Sequence, residues 1–257
     1  MLIPTMTNKE IYDNIAKDYH NKIKIKQDFL RSKAIREFKK ELKFPAWRWY
    51  EYTIPESNNK YIIFFYAESR AVMEKPHVDF YAVVYDSKGR YIIQAYPTGY
   101  RHTEESPFQL IRQVSIYSRH FFERYNERIW KDKTIDSNEI VCRYLTRNKI
   151  GMPIEMNEQI NRRLEAYGDS AKYGYRVRDG FCFARSGIDG VMSEDGDRSK
   201  DKVESMLVQY ATFMNETDMS DTQLTAINRE HYISWLRCVQ DFQKEAVDGV
   251  ITLTLEP

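Results

Sequence analysis

The segments with strand-like sequence fall into two groups, and helical segments lie before, between and after these groups. The first group consists of 61–66, 78–85 and 91–96, and the second of 173–185 and 203–214, where β-branched and aromatic residues are frequent. Helices and strands in separate blocks favour an α+β fold over a parallel α/β sheet. We therefore expect antiparallel strands with segregated helices, including a long N-terminal helix and a C-terminal helix.

The N-terminal helix is predicted from a capping box and a helical apolar pattern. Thr7 and Glu10 can cap its first turn reciprocally, and the apolar pattern continues, with room for one break, as far as Pro45. The basic residues of this segment fit either a solvated helix face or a phosphate-binding surface. They are Lys22, Lys24, Lys26, Arg31, Lys33, Arg36, Lys39, Lys40 and Lys43.

Three further helices are predicted between the two strand groups. They cover about 119–131, a segment that begins at Asp136-Ser-Asn-Glu139, and 155–166. A last helix is expected to begin at Ser220.

Two segments allow more than one interpretation. The segment 112–117 fits either a strand or the end of a helix. Trp47, Trp49 and Tyr50 precede the first strand and fit either the edge of a core or platforms for base stacking.

The clearest local signal in the sequence is the Asp179-Gly180 pair between two strand-like runs. Because Asp-Gly readily takes the positive φ values of a tight reverse turn, 173–185 is predicted to be a β-hairpin. Asp189-Gly190 predicts a second turn.

The chain length allows one large domain or two smaller ones. With 257 residues, of which 42% are hydrophobic, the chain can bury a sizeable core. We expect residues 1–106 to hold the N-terminal helix and antiparallel strands. Residues 107–257 would hold the helical segment, the β-hairpins and the C-terminal helix, and one continuous domain is the alternative.

The sequence favours a cytoplasmic protein. No stretch approaches the ~18 apolar residues that a membrane helix needs, and the N-terminus lacks a basic start followed by an apolar run. Cys142, Cys182 and Cys238 are odd in number and widely spaced, which argues against disulfides or a structural zinc site.

The motifs of phosphate-binding loops, dinucleotide folds, zinc peptidases and serine hydrolases are absent from the sequence. We therefore expect no cofactor. The histidines show no ligand-like spacing, so no metal site is predicted either. They are His20, His77, His102, His120 and His231.

The predicted helix 119–131 has a polar face with the most suggestive chemistry in the sequence. At about 100° per residue, His120, Arg124, Glu127 and Arg128 share one face. The other face is apolar and is formed by Phe121, Phe122, Tyr125 and Ile129.

This face offers an imidazole, a carboxylate and guanidinium groups that bind phosphate. These are the groups needed for RNA cleavage without a metal, in which a base, an acid and cations act on the 2′-hydroxyl and the phosphate. Interleaved Arg and Glu residues on an exposed helix also fit ordinary surface ion pairs.

Part of the chain resembles the BrnT-type toxins of the RelE-like ribonucleases. The resemblance rests on Val114-Ser-Ile-Tyr-Ser-Arg-His120-Phe-Phe-Glu-Arg124-Tyr-Asn-Glu-Arg128 and on Ile135-Asp-Ser-Asn-Glu-Ile140. It covers roughly 110–215 and implies catalytic roles for His120, Arg124 and Arg128, together with an antitoxin-like protein partner.

Other cations could add to the same surface. Arg176, Arg178 and Arg185 lie on or beside the predicted hairpin, where Arg176 and Arg178 would share a strand face. Arg101 follows a predicted strand. An exposed sheet face is the alternative explanation for the hairpin arginines.

The function that we expect from the sequence is metal-independent, toxin-like RNA cleavage by the His120 face. One alternative is a non-catalytic nucleic-acid-binding protein. The other is a protein-interaction or accessory protein of a mobile element. RNA or a protein is the expected partner, and no membrane is involved.

Overall fold

A computed structural model describes residues 2–3, 6–87, 89–101, 108–149, 151–161, 173–191, 193 and 202–247. A mixed sheet of nine strands, mostly antiparallel, forms the centre of the fold, and helices cover both of its faces. The predicted α+β fold, with a long N-terminal helix and a C-terminal helix, is confirmed.

The N-terminal helical segment consists of α1 (Asn8–Asp18) and α2 (Lys24–Phe38), joined by a π-helical turn at Tyr19–Ile23. The predicted capping box is present, since the Glu10 amide donates to Thr7 Oγ1 at 3.2 Å and the Thr7 amide donates to Glu10 Oε2 at 2.8 Å. The break in the apolar pattern is the π turn, which lets the helix continue without a loop.

The first group of strands is larger than the sequence predicts. It contains β1 (Ala46–Thr53), β2 (Lys60–Ala67), β3 (His77–Asp86), β4 (Gly89–Tyr100) and β5 (Gln109–Ser118), paired in order and antiparallel. The tryptophans before the first predicted strand therefore lie in an edge strand, β1. The undecided segment 112–117 is part of β5.

The second group adds four strands to the same sheet. They are β6 (Met152–Glu155), β7 (Tyr173–Val177), β8 (Gly180–Val191) and β9 (Lys202–Met214). The strand order is β1-β2-β3-β4-β5-β9-β8-β7-β6, and β9 pairs with β5 in parallel. The two predicted halves thus contribute to one sheet, and the predicted boundary at 106/107 lies outside the described residues.

The hairpin predicted at Asp179-Gly180 is confirmed as β7 and β8. The second predicted turn is wrong, because Asp189 and Gly190 lie inside β8, where the pairing with β9 is irregular. A bulge of this kind lets a strand accept a turn-like sequence without reversing direction.

The remaining helices are α3 (Arg119–Tyr125), α4 (Ser137–Arg147), α5 (Glu158–Asn161) and α6 (Asp221–Val247). A π-helical turn at Asn126–Trp130 extends α3. In place of the helix predicted at 155–166 the structure has the end of β6 and then α5, and the rest of that range lies outside the described residues.

The helices form two layers. On one face, which we call the α4 face, α3 and α4 pack against the sheet through a core that includes Phe121, Tyr144 and the buried Cys182. On the opposite face, the N-terminal helices cover the first strand group, while α5 and α6 pack on Phe181 and Phe183. Successive residues of β8 thus serve different layers, as the two-residue period of a strand requires.

None of the helices in the described ranges is both long and apolar enough to cross a membrane.

Candidate functional site

The helix that carries His120 begins at the end of β5. The Ser118 hydroxyl accepts a hydrogen bond from the Phe121 amide at 3.2 Å and caps α3. Phe121, Phe122 and Tyr125 are buried, which confirms the predicted apolar stripe. His120 itself is exposed on the opposite side.

The polar residues of α3 do not gather around His120. Arg124 and Glu127 are exposed and form an ion pair with one another at 2.9 Å. Arg128 lies in the π turn and points elsewhere, because its guanidinium donates to the Phe213 carbonyl and lies 3.1 Å from an oxygen of Asp218. Burial lowers the pKa of Arg128, which remains a structural cation at the end of β9.

The hairpin arginines occupy three different environments. Arg176 donates to the Gly180 carbonyl at 3.0 Å and to the Glu216 carboxylate. Arg178 lies beyond β7, in the turn, and is exposed. Arg185 pairs with Gln209 in the β8–β9 ladder, on the face opposite α3 and α4.

Arg101 lies far from His120. The β4–β5 ladder runs from the pair Tyr91–Ser118 to the pair Tyr100–Gln109, so Arg101 and His120 follow its two opposite ends. At about 3.4 Å per residue, this places them roughly 30 Å apart. Of the predicted site residues, only Arg124 and Glu127 are in contact with each other, and His120 lies about one helical turn before Arg124.

A different group of side chains converges at the C-terminal end of α4. The Asp179 carboxylate, whose side chain is 4% exposed, binds Arg147 through two hydrogen bonds of 2.8 and 2.6 Å. Tyr125 donates to it at 2.7 Å and Asn148 at 3.1 Å. Burial would raise the pKa of Asp179, but these donors outweigh burial and lower it.

Aromatic rings and a guanidinium form a stack beside this network. The guanidinium carbon of Arg143 lies 5.0 Å from the ring centre of Trp47 and 4.3 Å from that of Trp130. The Trp47 indole N–H donates to Thr146 Oγ1 at 3.0 Å, which fixes β1 against α4. Cation–π contacts of this kind stabilise the end of the helix against the sheet.

The outer rim of this region is basic and partly aromatic. Tyr66 is half-buried, and burial and the exposed Glu68 raise the pKa of its hydroxyl, while the charges of Arg147 and Arg178 act in the opposite direction. Its ladder partner is the exposed His77. We define the α4-end surface as Tyr66, His77, Arg147, Lys149 and Arg178.

Asp79 lies next to this surface, on the same face of β3 as His77. Its Oδ1 accepts a hydrogen bond from the Phe80 amide at 2.7 Å. Burial raises the pKa of Asp79 to about 6, although the Phe80 amide and the charge of Lys149 act in the opposite direction. Burial and Lys149 lower the pKa of His77.

The sheet is split beside Asp79. Pairing between β3 and β4 extends only from Asp86–Gly89 to Ala82–Ile93, although β3 continues to His77 and β4 to Tyr100. On the β4 side of this split, the Tyr96 hydroxyl lies 3.0 Å from the Ser115 hydroxyl of β5 and accepts from Gln113 of β5 at 2.7 Å. Polar groups therefore flank the split on the α4 face.

Sequence reasoning missed this region. His77 has no ligand-like spacing to the other histidines, and Asp79 lies within a predicted strand. The signal that could have found this region is a carboxylate inside the otherwise apolar run Val78-Asp-Phe-Tyr-Ala82. Acids are rarely buried, and a buried acid in a strand is a candidate for a functional site.

No protein-family model, no curated protein and no solved structure matches this chain.

Proposed function

We propose that the protein binds single-stranded RNA at the α4-end surface. The observation that carries this proposal is the meeting of exposed cations with a half-exposed aromatic ring, where the β7–β8 turn contacts the end of α4. Cations bind the phosphates of a nucleic acid, while aromatic faces stack on unpaired bases.

The positive charge of this surface comes from a few neighbouring residues and not from the chain as a whole. The whole chain has a formal net charge of only +1, so attraction to RNA depends on how the cations are placed. Asp179 neutralises Arg147, whereas neither Lys149 nor Arg178 forms an ion pair within the described part of the chain. Lys149 and Arg178 are therefore the expected phosphate contacts.

Unpaired bases are the expected partners of Tyr66. Tyr66 lies near the end of β2, where its ring packs beside Trp47 at 5.3 Å between ring centres and is partly exposed. Such a ring can stack on a base only if that base is free of its own helix, and such bases occur in single-stranded RNA. The nearby Asp179 network holds Arg147 and the turn in place, so the surface is rigid before RNA binds.

The test is RNA binding by charge-reversed variants. Fluorescence anisotropy with a labelled single-stranded RNA should show that Lys149→Glu combined with Arg178→Glu weakens binding more than about tenfold at low ionic strength. The matched control reverses Lys24 and Lys40, which are exposed on or after the N-terminal helices. Equal effects of the two double variants would contradict RNA binding at the α4-end surface.

Toxin-like RNA cleavage at the His120 face is a second candidate. It is favoured by the exposure of His120 and Arg124 on α3, together with Glu127, which pairs with Arg124 from the following π turn. RNA would be cleaved in the presence of EDTA, and His120→Ala or Arg124→Ala would abolish the cleavage in a folded protein. Unchanged cleavage by both variants would exclude this assignment.

A further inference from the structure

We propose that His77 and Asp79, together with Lys149, form an acid–base site that cleaves the RNA strand bound at the α4-end surface. This inference rests on the proposed RNA binding. It assigns the chemistry to residues that belong to a different element from His120.

The first argument is placement. His77 and Asp79 are alternate residues of β3, so their side chains leave the same face of the strand. His77 is directly opposite Tyr66, the proposed base-stacking residue. A strand that stacks on Tyr66 and contacts Lys149 would therefore bring its sugar–phosphate backbone to these two side chains.

The second argument is the split in the sheet. From His77 to Tyr81, β3 pairs with β2 and forms no ladder with β4. Asp79 thus stands at a break in the sheet and keeps partial exposure although protein atoms surround most of it. A carboxyl group in this situation is desolvated but remains reachable by a substrate.

The third argument is protonation. The groups that face Asp79 are His77 and Tyr81 on β3, Cys142 on α4, and Lys149, which follows the C-terminal end of α4. Burial raises the pKa of Asp79 to about 6, which favours its protonated form, while burial and Lys149 lower the pKa of His77, which favours the neutral imidazole. An acid and a base are therefore present together, as general acid–base catalysis requires.

The reaction that fits these groups is transesterification within RNA. Neutral His77 takes the proton of the 2′-hydroxyl, whose oxygen then forms a bond to phosphorus. The bond between phosphorus and the 5′-oxygen breaks, and that oxygen takes its proton from Asp79. Lys149 stabilises the negative charge on the phosphate. The products are a 2′,3′-cyclic phosphate and a 5′-hydroxyl.

The experiment uses the full chain and a labelled DNA strand that contains one ribonucleotide, with EDTA present. Cleavage at the ribonucleotide with a 2′,3′-cyclic phosphate end is expected, and the rate should fall as pH rises above about 6, where Asp79 loses its proton. Asp79→Asn and His77→Gln should each reduce the rate at least about a hundredfold, and Asp79→Asn should leave binding unchanged because Asp79 lies outside the α4-end surface. His20→Gln, at an exposed histidine of the N-terminal helical segment, should change nothing.

The outcomes separate this inference from RNA binding itself. Tight RNA binding without cleavage, or cleavage that survives Asp79→Asn, would overturn the inference and leave the binding proposal standing. Loss of cleavage in His120→Gln alone would move the chemistry to α3. Absence of binding and cleavage together would overturn both proposals. Thermal unfolding of each variant shows that the loss of rate is not a loss of fold.

Discussion

Asp179 is the residue that ties the candidate surface to the fold. Its carboxylate is buried, and the charge is tolerated because Arg147, Tyr125 and Asn148 all donate to it. The lowered pKa of Asp179 means that this network contributes stability above the ordinary pKa of an aspartate, and that the contribution is lost as pH falls through the folded value.

Removing the cation from this network should be costly. Arg147→Met leaves a buried carboxylate without its charged partner, so we expect the free energy of unfolding to fall by about 3 kcal/mol. Denaturant unfolding near neutral pH measures the change. Arg124→Met is the control, because its partner Glu127 is exposed and the change should stay within about 0.5 kcal/mol. Equal losses in both variants would contradict the role given to Asp179.

Asp79 has the opposite effect on stability. Its pKa rises from 3.8 in the unfolded chain to about 6 in the fold, so the folded state favours the protonated form. The contribution of Asp79 to stability is therefore greatest below the pKa of the unfolded chain and is lost as pH rises through the pKa of the fold. A shift of this size corresponds to at most about 3 kcal/mol.

The variant Asp79→Asn should accordingly be more stable than the wild type at pH values well above 6. The expected gain is about 1–2 kcal/mol, less than the upper limit because Asp79 is partly exposed. The gain should shrink as pH approaches the ordinary pKa of aspartate. Thermal unfolding at two pH values measures the gain. A variant that is less stable than the wild type at alkaline pH would contradict the claim that burial destabilises the charged form of Asp79.

At the scale of elements, the β7–β8 hairpin places Asp179 and Arg178 next to the C-terminal end of α4. The turn is tight because Gly180 has no side chain, and a Cβ atom there would lie 2.2 Å from the Met214 carbonyl oxygen and 2.9 Å from the Phe213 ring. The backbone of β9 cannot give way easily here, since Met214 is itself paired with Phe181 of β8.

Gly180→Ala should therefore destabilise the protein by more than about 1 kcal/mol. It should also weaken RNA binding, because the turn carries Arg178. Gly187→Ala is the matched control in the same strand, since nothing lies within 4 Å of a Cβ atom at that position. Chemical denaturation of the two variants measures the difference in stability. Similar denaturation midpoints would contradict the claim that a Cβ atom at position 180 clashes with β9.

Elements with strong local signals could be predicted from the sequence. The capping box at Thr7 starts α1, the Asp179-Gly180 pair makes the hairpin, and the Asp136 side chain caps α4 by accepting from Asn138. Each of these depends on contacts between residues that are close in the chain, so the sequence pattern contains the information.

Elements that depend on distant partners could not be predicted in this way. The edge strand β1 holds bulky aromatic residues such as Trp47, which pack against α4 from far along the chain. The short strand β6 exists because β7 pairs with it. The π turn after Tyr125 also departs from the 3.6-residue period on which the helical projection of Arg128 relied.

The candidate surface is a property of the whole molecule. Tyr66 comes from the first strand group, Lys149 from the end of α4 and Arg178 from the second strand group, and the parallel pairing of β5 with β9 joins these groups. A sequence pattern cannot show such a meeting, whereas the His120 face was visible because one helix contains it. The fold class could therefore be predicted, but the surface could not.

The measurement that tests the central claim most directly is the salt dependence of RNA binding. If Lys149 and Arg178 each contact a phosphate, replacing both by Met should reduce the slope of log K against log salt by about 1.4, since one contact in a single strand contributes about 0.7. The same replacement at Lys24 and Lys40 should leave the slope unchanged. An unchanged slope in the variant of Lys149 and Arg178 would contradict RNA binding at the α4-end surface.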